Sequence, residues 1–394
     1  MHSTQRPTKR WLRRGAIVTA ATIGLMVGGA APAIADPAAT YVAVGSDTIQ
    51  DIMDQFASNV GGGAVGSWDA VNPGDTTNPH DTINPKAGCS MTRPNGSGEG
   101  LSALRKSINA STTAAQLANP PEPGCVDMAR SSSGPGTNAD VNGDLVYIPF
   151  ALDAVTAATG PATAVTGSDP AVATAITKAD SFTVANLTTL YGCTSVAVGG
   201  ITYVPDGTTT NATTQPIHLY VPQPGSGTRN FWASTLGFNA TTLPACVHDH
   251  SEIAPNAAVE EHNGTVFAGD ADALGPFSIA QFIAQSNGHN DRRHNVAIHN
   301  LNGVSPFTGT ALNVGFPVTR EVYNIVKTSR VTSGSPDFNA ALSSLLVGAT
   351  STLCGQSLAI KSFGFALLTT APLGHTCGQV ATNLRAFNPT TNPV

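Results

Sequence analysis

The sequence predicts an α/β protein built as two lobes with a cleft between them, and three observations predict it. Short apolar runs alternate with segments carrying apolar residues at helical spacing, which reads as strands and helices in layers. Of the 394 residues the first 35 read as an export signal, which leaves 359. That length is too great for one ordinary core and suits two. Two apolar runs, Leu145 to Val155 and Val314 to Val326, are placed to leave the first lobe and return to it. The expected division is 36–152 with 320–394 in lobe 1 and 153–319 in lobe 2.

The N-terminus carries Arg6, Lys9, Arg10, Arg13 and Arg14, then an uncharged apolar stretch from Ala16 to Ala30, then Ala33-Ile34-Ala35. This is the pattern of a cleaved signal peptide, with the exported chain expected to start at Asp36. Fifteen apolar residues are fewer than the roughly 20 that span a bilayer. Arg13-Arg14 leaves both general and twin-arginine export open. No cysteine near the cleavage point suggests a lipid anchor, so a secreted protein is expected.

Five of the 19 Lys and Arg, and none of the 25 Asp and Glu, lie in that segment. The remainder has 14 basic and 25 acidic groups, a net of −11. Nucleic acid and anionic membranes are poor partners for such a surface. A bound anion would need local donors working against the global field.

Taken in order, Tyr41-Val42-Ala43-Val44 reads as a buried strand. Gly45-Ser46-Asp47-Thr48 follows as a tight turn, and Ile49, Ile52, Met53 and Phe56 mark a helix. Residues 60–88, rich in Gly, Asn, Pro, Asp and Thr, read as a surface loop. Asn95-Gly96-Ser97-Gly98 opens a second helix bearing Leu101, Leu104 and Ile108. A short helix carries Leu187, Leu190 and Tyr191 and ends at Gly192. His218-Leu219-Tyr220-Val221 is a strand, and Gly225-Ser226-Gly227-Thr228 starts the helix of Phe231, Trp232 and Leu236. Gly275 to Gln285 reads as strand then helix. Six cysteines in an exported chain imply three disulfides. Many pairings are open to six cysteines. The preferred one joins nearest neighbours: Cys89 with Cys125, Cys193 with Cys246, Cys354 with Cys377.

Three turns share one design: a strand end, Gly and hydroxyl residues, then an amphipathic helix. They are Gly45 to Thr48, Asn95 to Gly98 and Gly225 to Thr228. A helix start presents unpaired N–H groups and a partial positive charge. Glycine allows close approach, and Ser and Thr add directed donors, so the combination suits an anion. Any one such turn is more often a plain helix cap. Three of them, with Arg130 beside Ser131 and Ser132, favour a shared site. Arg229 adds a planar fork for an oxoanion. Asp47 could accept the proton of a protonated oxoanion and repel an unprotonated one.

Four segments together resemble the phosphate-binding protein family of ABC importers. They are Val44-Gly45-Ser46-Asp47-Thr48, Asn95-Gly96-Ser97-Gly98, Ala129-Arg130-Ser131-Ser132 and, most diagnostic, Gly225-Ser226-Gly227-Thr228-Arg229. Leu187-Thr188-Thr189-Leu190-Tyr191-Gly192 and Phe316-Pro317-Val318-Thr319-Arg320-Glu321-Val322-Tyr323 support it, and the similarity spans most of 41–370. The resemblance implies a two-lobed periplasmic-binding-protein fold that closes like a hinge on phosphate or a similar oxoanion. It implies ligand contacts from Ser46, Thr48, Ser97, Ser131, Ser132, Ser226, Gly227, Thr228 and Arg229. It also implies a monomer serving an ABC permease, with no cofactor, no metal and no catalysis. Two departures bear on the ligand. Many relatives have an Asp where Ser132 stands, and some have an Arg where Pro222 stands.

Three other readings compete. A serine hydrolase needs a nucleophile elbow, and neither Ser97 nor Ser226 sits in one, although His248, His250 and His262 could offer a base. A metal site could draw on His248-Asp249-His250, Glu261-His262, His289, His294 and His299, but no HExxH occurs and exposed histidines are the commoner explanation. A secreted scaffold or adhesion protein could keep the fold and lose transport.

Overall fold

The longest strand, Leu145–Thr159, is buried along all fifteen residues and forms the spine of the molecule. The structure is a computed structural model that describes residues 39–72, 74–75, 78–108, 124–160, 182–208, 210–252, 257–369 and 374–388. The expected signal segment lies outside them.

The path through the large sheet uses nine strands. They are β1 (Tyr41–Gly45), β2 (Val65–Ser67), β3 (Met128–Ser131), β4 (Leu145–Thr159), β5 (Val196–Val198), β6 (Ile201–Pro205), β7 (Thr214–Tyr220), β8 (Ala273–Ser278) and β9 (Thr319–Lys327). Their order is β2-β1-β3-β9-β4-β8-β7-β6-β5. At one side β1 runs parallel to β2 and β3. At the other, β8, β7 and β6 are mutually parallel. Between them β9 and β4 pair antiparallel, with Thr319 opposite Ala154 and Lys327 opposite Leu145. The far end of β4, Val155 to Thr159, pairs instead with β8. One strand thus belongs to both sides, which is why it has no solvent face and reads as a continuous apolar run.

Five helices concern the site: α1 (Gln50–Val60), α2 (Ser97–Ile108), α3 (Val184–Tyr191), α4 (Gly227–Leu236) and α5 (Ile279–Ser286). α1 buries Ile52, Met53 and Phe56, four and three residues apart, on one face. α3 is fixed by a capping box in which Thr183 and Asn186 satisfy each other's backbone N–H groups. α4 is capped by Ser226, whose Oγ accepts from the N–H groups of Thr228 and Arg229. Gly237, in the left-handed region, ends it.

The mixed α/β reading therefore holds, with large-sheet strands and flanking helices. Two details differ from the sequence reading. The stretch 60–88 is not loop throughout, because Val65–Ser67 pairs with β1 and Thr82–Ile83 pairs with Met91–Thr92. Strands this short give no periodic signal. The return strand begins at Thr319 rather than Val314, whose side chain is exposed. Pro317 lacks the N–H a ladder needs, and Phe316 closes a turn onto the Asn313 carbonyl.

Disulfides join Cys89 to Cys125, Cys193 to Cys246 and Cys354 to Cys377, the nearest-neighbour pairing. None of the helices in the described residues is long and apolar enough to cross a membrane.

Candidate functional site

The three glycine-and-hydroxyl turns meet. Gly98 N donates to the Gly225 carbonyl at 2.8 Å, so the starts of α2 and α4 are in direct backbone contact. A side chain at Gly227 would fall 2.4 Å from Ser97 Oγ and 2.5 Å from Ser132 Oγ, closer than atoms can pack. Glycine is thus required where the second, third and β3 segments converge. Ser132 N donates to Ser97 Oγ at 3.0 Å, and the two hydroxyls stand 3.3 Å apart. Gly45, with φ +110°, brings the end of β1 against Gly100 of α2, leaving no room for a side chain on either.

The centre of this convergence is a carboxylate. Glu261 is fully buried and accepts from three hydroxyls. Thr48 Oγ1 donates to its Oε1 in a short contact. Thr228 Oγ1 donates to the same oxygen at 2.7 Å, and Ser226 Oγ donates to Oε2 at 3.4 Å. Thr48 and Thr228 Oγ1 atoms lie 3.5 Å apart, so the first and third turns share one acceptor. A buried charge needs such partners, because desolvating a bare carboxylate is costly.

Behind the hydroxyls stands a buried ion pair. Arg320 Nη1 donates to Thr228 Oγ1 at 2.7 Å, while its Nε and Nη2 donate to Asp153 Oδ2 at 3.0 and 2.8 Å. Asp153 also accepts from Ser278 Oγ at 2.9 Å and from Ala280 N at 3.1 Å, at the start of α5. Arg320 sits over the Phe231 ring at 5.5 Å. Gln281, also on α5, donates from Nε2 to the Thr48 carbonyl at 2.6 Å. Positive charge therefore reaches the hydroxyl cluster through Thr228.

The predicted site residues divide into groups. Thr48, Ser226 and Thr228 hold Glu261, with Gly227 packed against Ser97 and Ser132 beside them. Ser46 is buried, and its Oγ has no hydrogen-bond partner among the described residues. Ser131 Oγ donates to the Ser133 carbonyl at 2.7 Å and shapes its own turn. Asp47 Oδ1 accepts from Thr48 N at 2.9 Å. Its Oδ2 lies 3.6 Å from His262 Nδ1. Burial raises the Asp47 pKa well above the usual range, and the Glu261 and Glu260 charges add to it.

Neither predicted arginine reaches the cluster. Arg130 is wholly buried and donates to the carbonyls of Ser46, Gly45 and Trp68 at 3.1, 3.0 and 2.7 Å, to that of Ala43 at 3.4 Å, and to Ser67 Oγ at 2.8 Å. Its fork ties the end of β1 to the strand edge beyond it. Arg229 donates to the carbonyls of Ala240 and Pro222 at 2.7 and 3.2 Å and pairs with Asp249 at 2.7 Å.

Sequence reasoning missed three residues as members of the site: Asp153, Glu261 and Arg320. Asp153 had a signal, since a lone carboxylate within a fifteen-residue apolar strand requires a buried partner. Arg320 lay inside the return-strand motif but was assigned no role. Glu261 sits in a loop 213 residues from Thr48, without local pattern.

Residues 30–341 match the family described as a PBP superfamily domain. None of the curated proteins matches. Among solved structures the fold is similar to an ABC-type phosphate transport receptor from Vibrio cholerae, with 16% identity over 83% of this chain and 99% of that one, at a TM-score of 0.44. It is also similar to a phosphate binding protein from Stenotrophomonas maltophilia, with 15% identity over 84% and 92% of the two chains, at a TM-score of 0.40.

Proposed function

This chain belongs to the PBP superfamily, and from that premise we propose that it is a secreted solute-binding protein for phosphate or a similar tetrahedral oxoanion, serving ABC-type uptake. The reading takes the two sides of the sheet as the lobes of a closing cleft. One observation carries it. Three hydroxyls from turns at opposite sides of the sheet, with Arg320 behind them, already hold a carboxylate. Donors that desolvate and hold one buried oxyanion have the chemistry to hold another.

In this reading the incoming anion takes the hydroxyl donors from Glu261. Helix α4 supplies its partial positive end, and Arg320 supplies charge through Thr228. Glu261 remains beside the anion as an acceptor. A carboxylate there can accept the proton of hydrogen phosphate and repels fully ionised sulfate. That role moves from Asp47, whose free oxygen faces His262, to Glu261.

Calorimetry tests this. The protein is expected to bind phosphate saturably and sulfate at least about tenfold more weakly, a difference of about 1.4 kcal/mol. Glu261→Gln is expected to narrow that ratio, chiefly by strengthening sulfate. If neither ion gives heat with either protein, the reading fails. The rival, a scaffold that kept the fold, is favoured by one observation: Glu261 fills the donors while Arg130 and Arg229 are engaged elsewhere. It predicts no heat in any combination.

A further inference from the structure

Beside Glu261, which lies within hydrogen-bond reach of Asp47, three further side chains converge. Asp47, Glu260 and His262 each bring a donor atom within 4.8 Å of the other two. Asp47 Oδ2 and His262 Nδ1 are buried, stand 3.6 Å apart, and neither is assigned a hydrogen-bond partner among the described residues. That separation is too long for a hydrogen bond. His262 Nε2 lies 3.7 Å from Glu260 Oε2. Both residues of the first pair are about 1% exposed.

Leaving two buried polar atoms unpaired is costly, so a native site of this kind calls for an explanation. A proton shared between them would need a shorter contact. A metal ion would not. Ligands around a tetrahedral centre with bonds of about 2.0–2.2 Å sit roughly 3.3–3.6 Å apart, a spacing met by Asp47 Oδ2 and His262 Nδ1; Glu260 now faces the other ring nitrogen, Nε2, and must swing its carboxylate toward an ion held on Nδ1. The supporting contacts also suit ligands. Asp47 Oδ1 is held by Thr48 N, and Glu260 Oε2 by Asn263 Nδ2 at 3.3 Å. Such outer contacts orient first ligands. Three carboxylates, Asp47, Glu260 and Glu261, gather here against one neighbouring cation, Arg292, which leaves charge for a dication to offset.

We propose that Asp47, Glu260 and His262 form a binding site for one divalent transition-metal ion of the zinc type, although the sequence alone led to no metal. One imidazole and two carboxylates favour such an ion over a hard cation served by oxygen alone. A position not filled by protein stays open to water or to an oxygen of a bound anion. The site meets the hydroxyl cluster through Glu261, the Asp47–Thr48 turn and the Gln285–Gln281 link to the Thr48 carbonyl, and metal binding does not require that phosphate binds.

The test is a Zn2+ titration of the full protein in phosphate-free buffer against a competing chelator dye. One tight site is expected, weakened at least about tenfold by Glu260→Gln and by His262→Asn. It should survive the double substitution His248→Asn with His250→Asn, which removes the more exposed histidine cluster. Glu260, whose side chain keeps 13% exposure, provides the variant least apt to misfold. Zn2+ should also raise the unfolding temperature of the wild type more than that of Glu260→Gln. Absence of a tight site, indifference to both substitutions, or loss in the His248/His250 variant would each overturn the proposal. Phosphate calorimetry, run without zinc, reads the anion site separately.

Discussion

Arg320→Ala is expected to destabilise the fold by about 3–5 kcal/mol, the scale for breaking one partner out of a buried ion pair. The reason is the partner left behind. Asp153 has no exposure, and Arg320 is its only cation among the described residues within ion-pair distance. Ser278 Oγ and Ala280 N still bond Asp153 after the substitution, so the carboxylate keeps dipoles but loses its counter-charge. The same change removes the Nη1 bond to Thr228 Oγ1, and with it the cation behind the hydroxyl cluster. Oxoanion binding by the folded fraction should therefore be lost. Arg320→Lys should keep the charge but not the fork that bridges Asp153 and Thr228, and should fall between. Urea unfolding and phosphate calorimetry read the two effects. Full stability with full binding in Arg320→Ala would refute both assignments.

Arg130→Met is expected to cost a similar amount, about 3–5 kcal/mol, by a different route. Its guanidinium is the donor for carbonyls of Gly45, Ser46 and Trp68, all buried under the first turn. Burial lowers the Arg130 pKa, while Asp54, Asp69, Asp47 and Asp51 push it back up. Methionine fills the space but donates nothing, so the carbonyls of Ala43, Gly45, Ser46 and Trp68 and the Ser67 hydroxyl lose a donor at about 1–3 kcal/mol apiece, less than additively. Because no Arg130 atom bonds to the hydroxyl cluster, the folded fraction should keep its oxoanion affinity. Comparing unfolding midpoint with affinity separates this scaffold role from the direct role of Arg320. A collapse of affinity at unchanged stability would reverse the two.

Local pattern made much of the fold legible. The three strand-turn-helix units announce themselves because helix spacing follows directly on Gly and hydroxyl residues. The spine strand does so through its apolar run from Leu145 to Val155, although the structure carries it on to Thr159. What the sequence does not display is partnership. Arg130, Arg229 and Arg320 are the same residue type beside similar motifs, yet one ties carbonyls, one pairs with Asp249 and one faces the hydroxyls. Only the crossing of β9 against β4, with Arg320 opposite Asp153, selects among them. Glu261 is harder still, since its place depends on a loop that no periodicity describes. The glycine at 227 belongs with the legible part, and the space it leaves for Ser97 and Ser132 belongs with the rest.

The seat of the anion is best tested by an experimental structure of the protein grown in phosphate. Phosphate oxygens should then lie within hydrogen-bond reach of Thr48 and Thr228 Oγ1, with the Glu261 carboxylate displaced from both. Phosphate bound instead on Arg229, or absent while Glu261 keeps its three hydroxyls, would contradict an oxoanion site at this position.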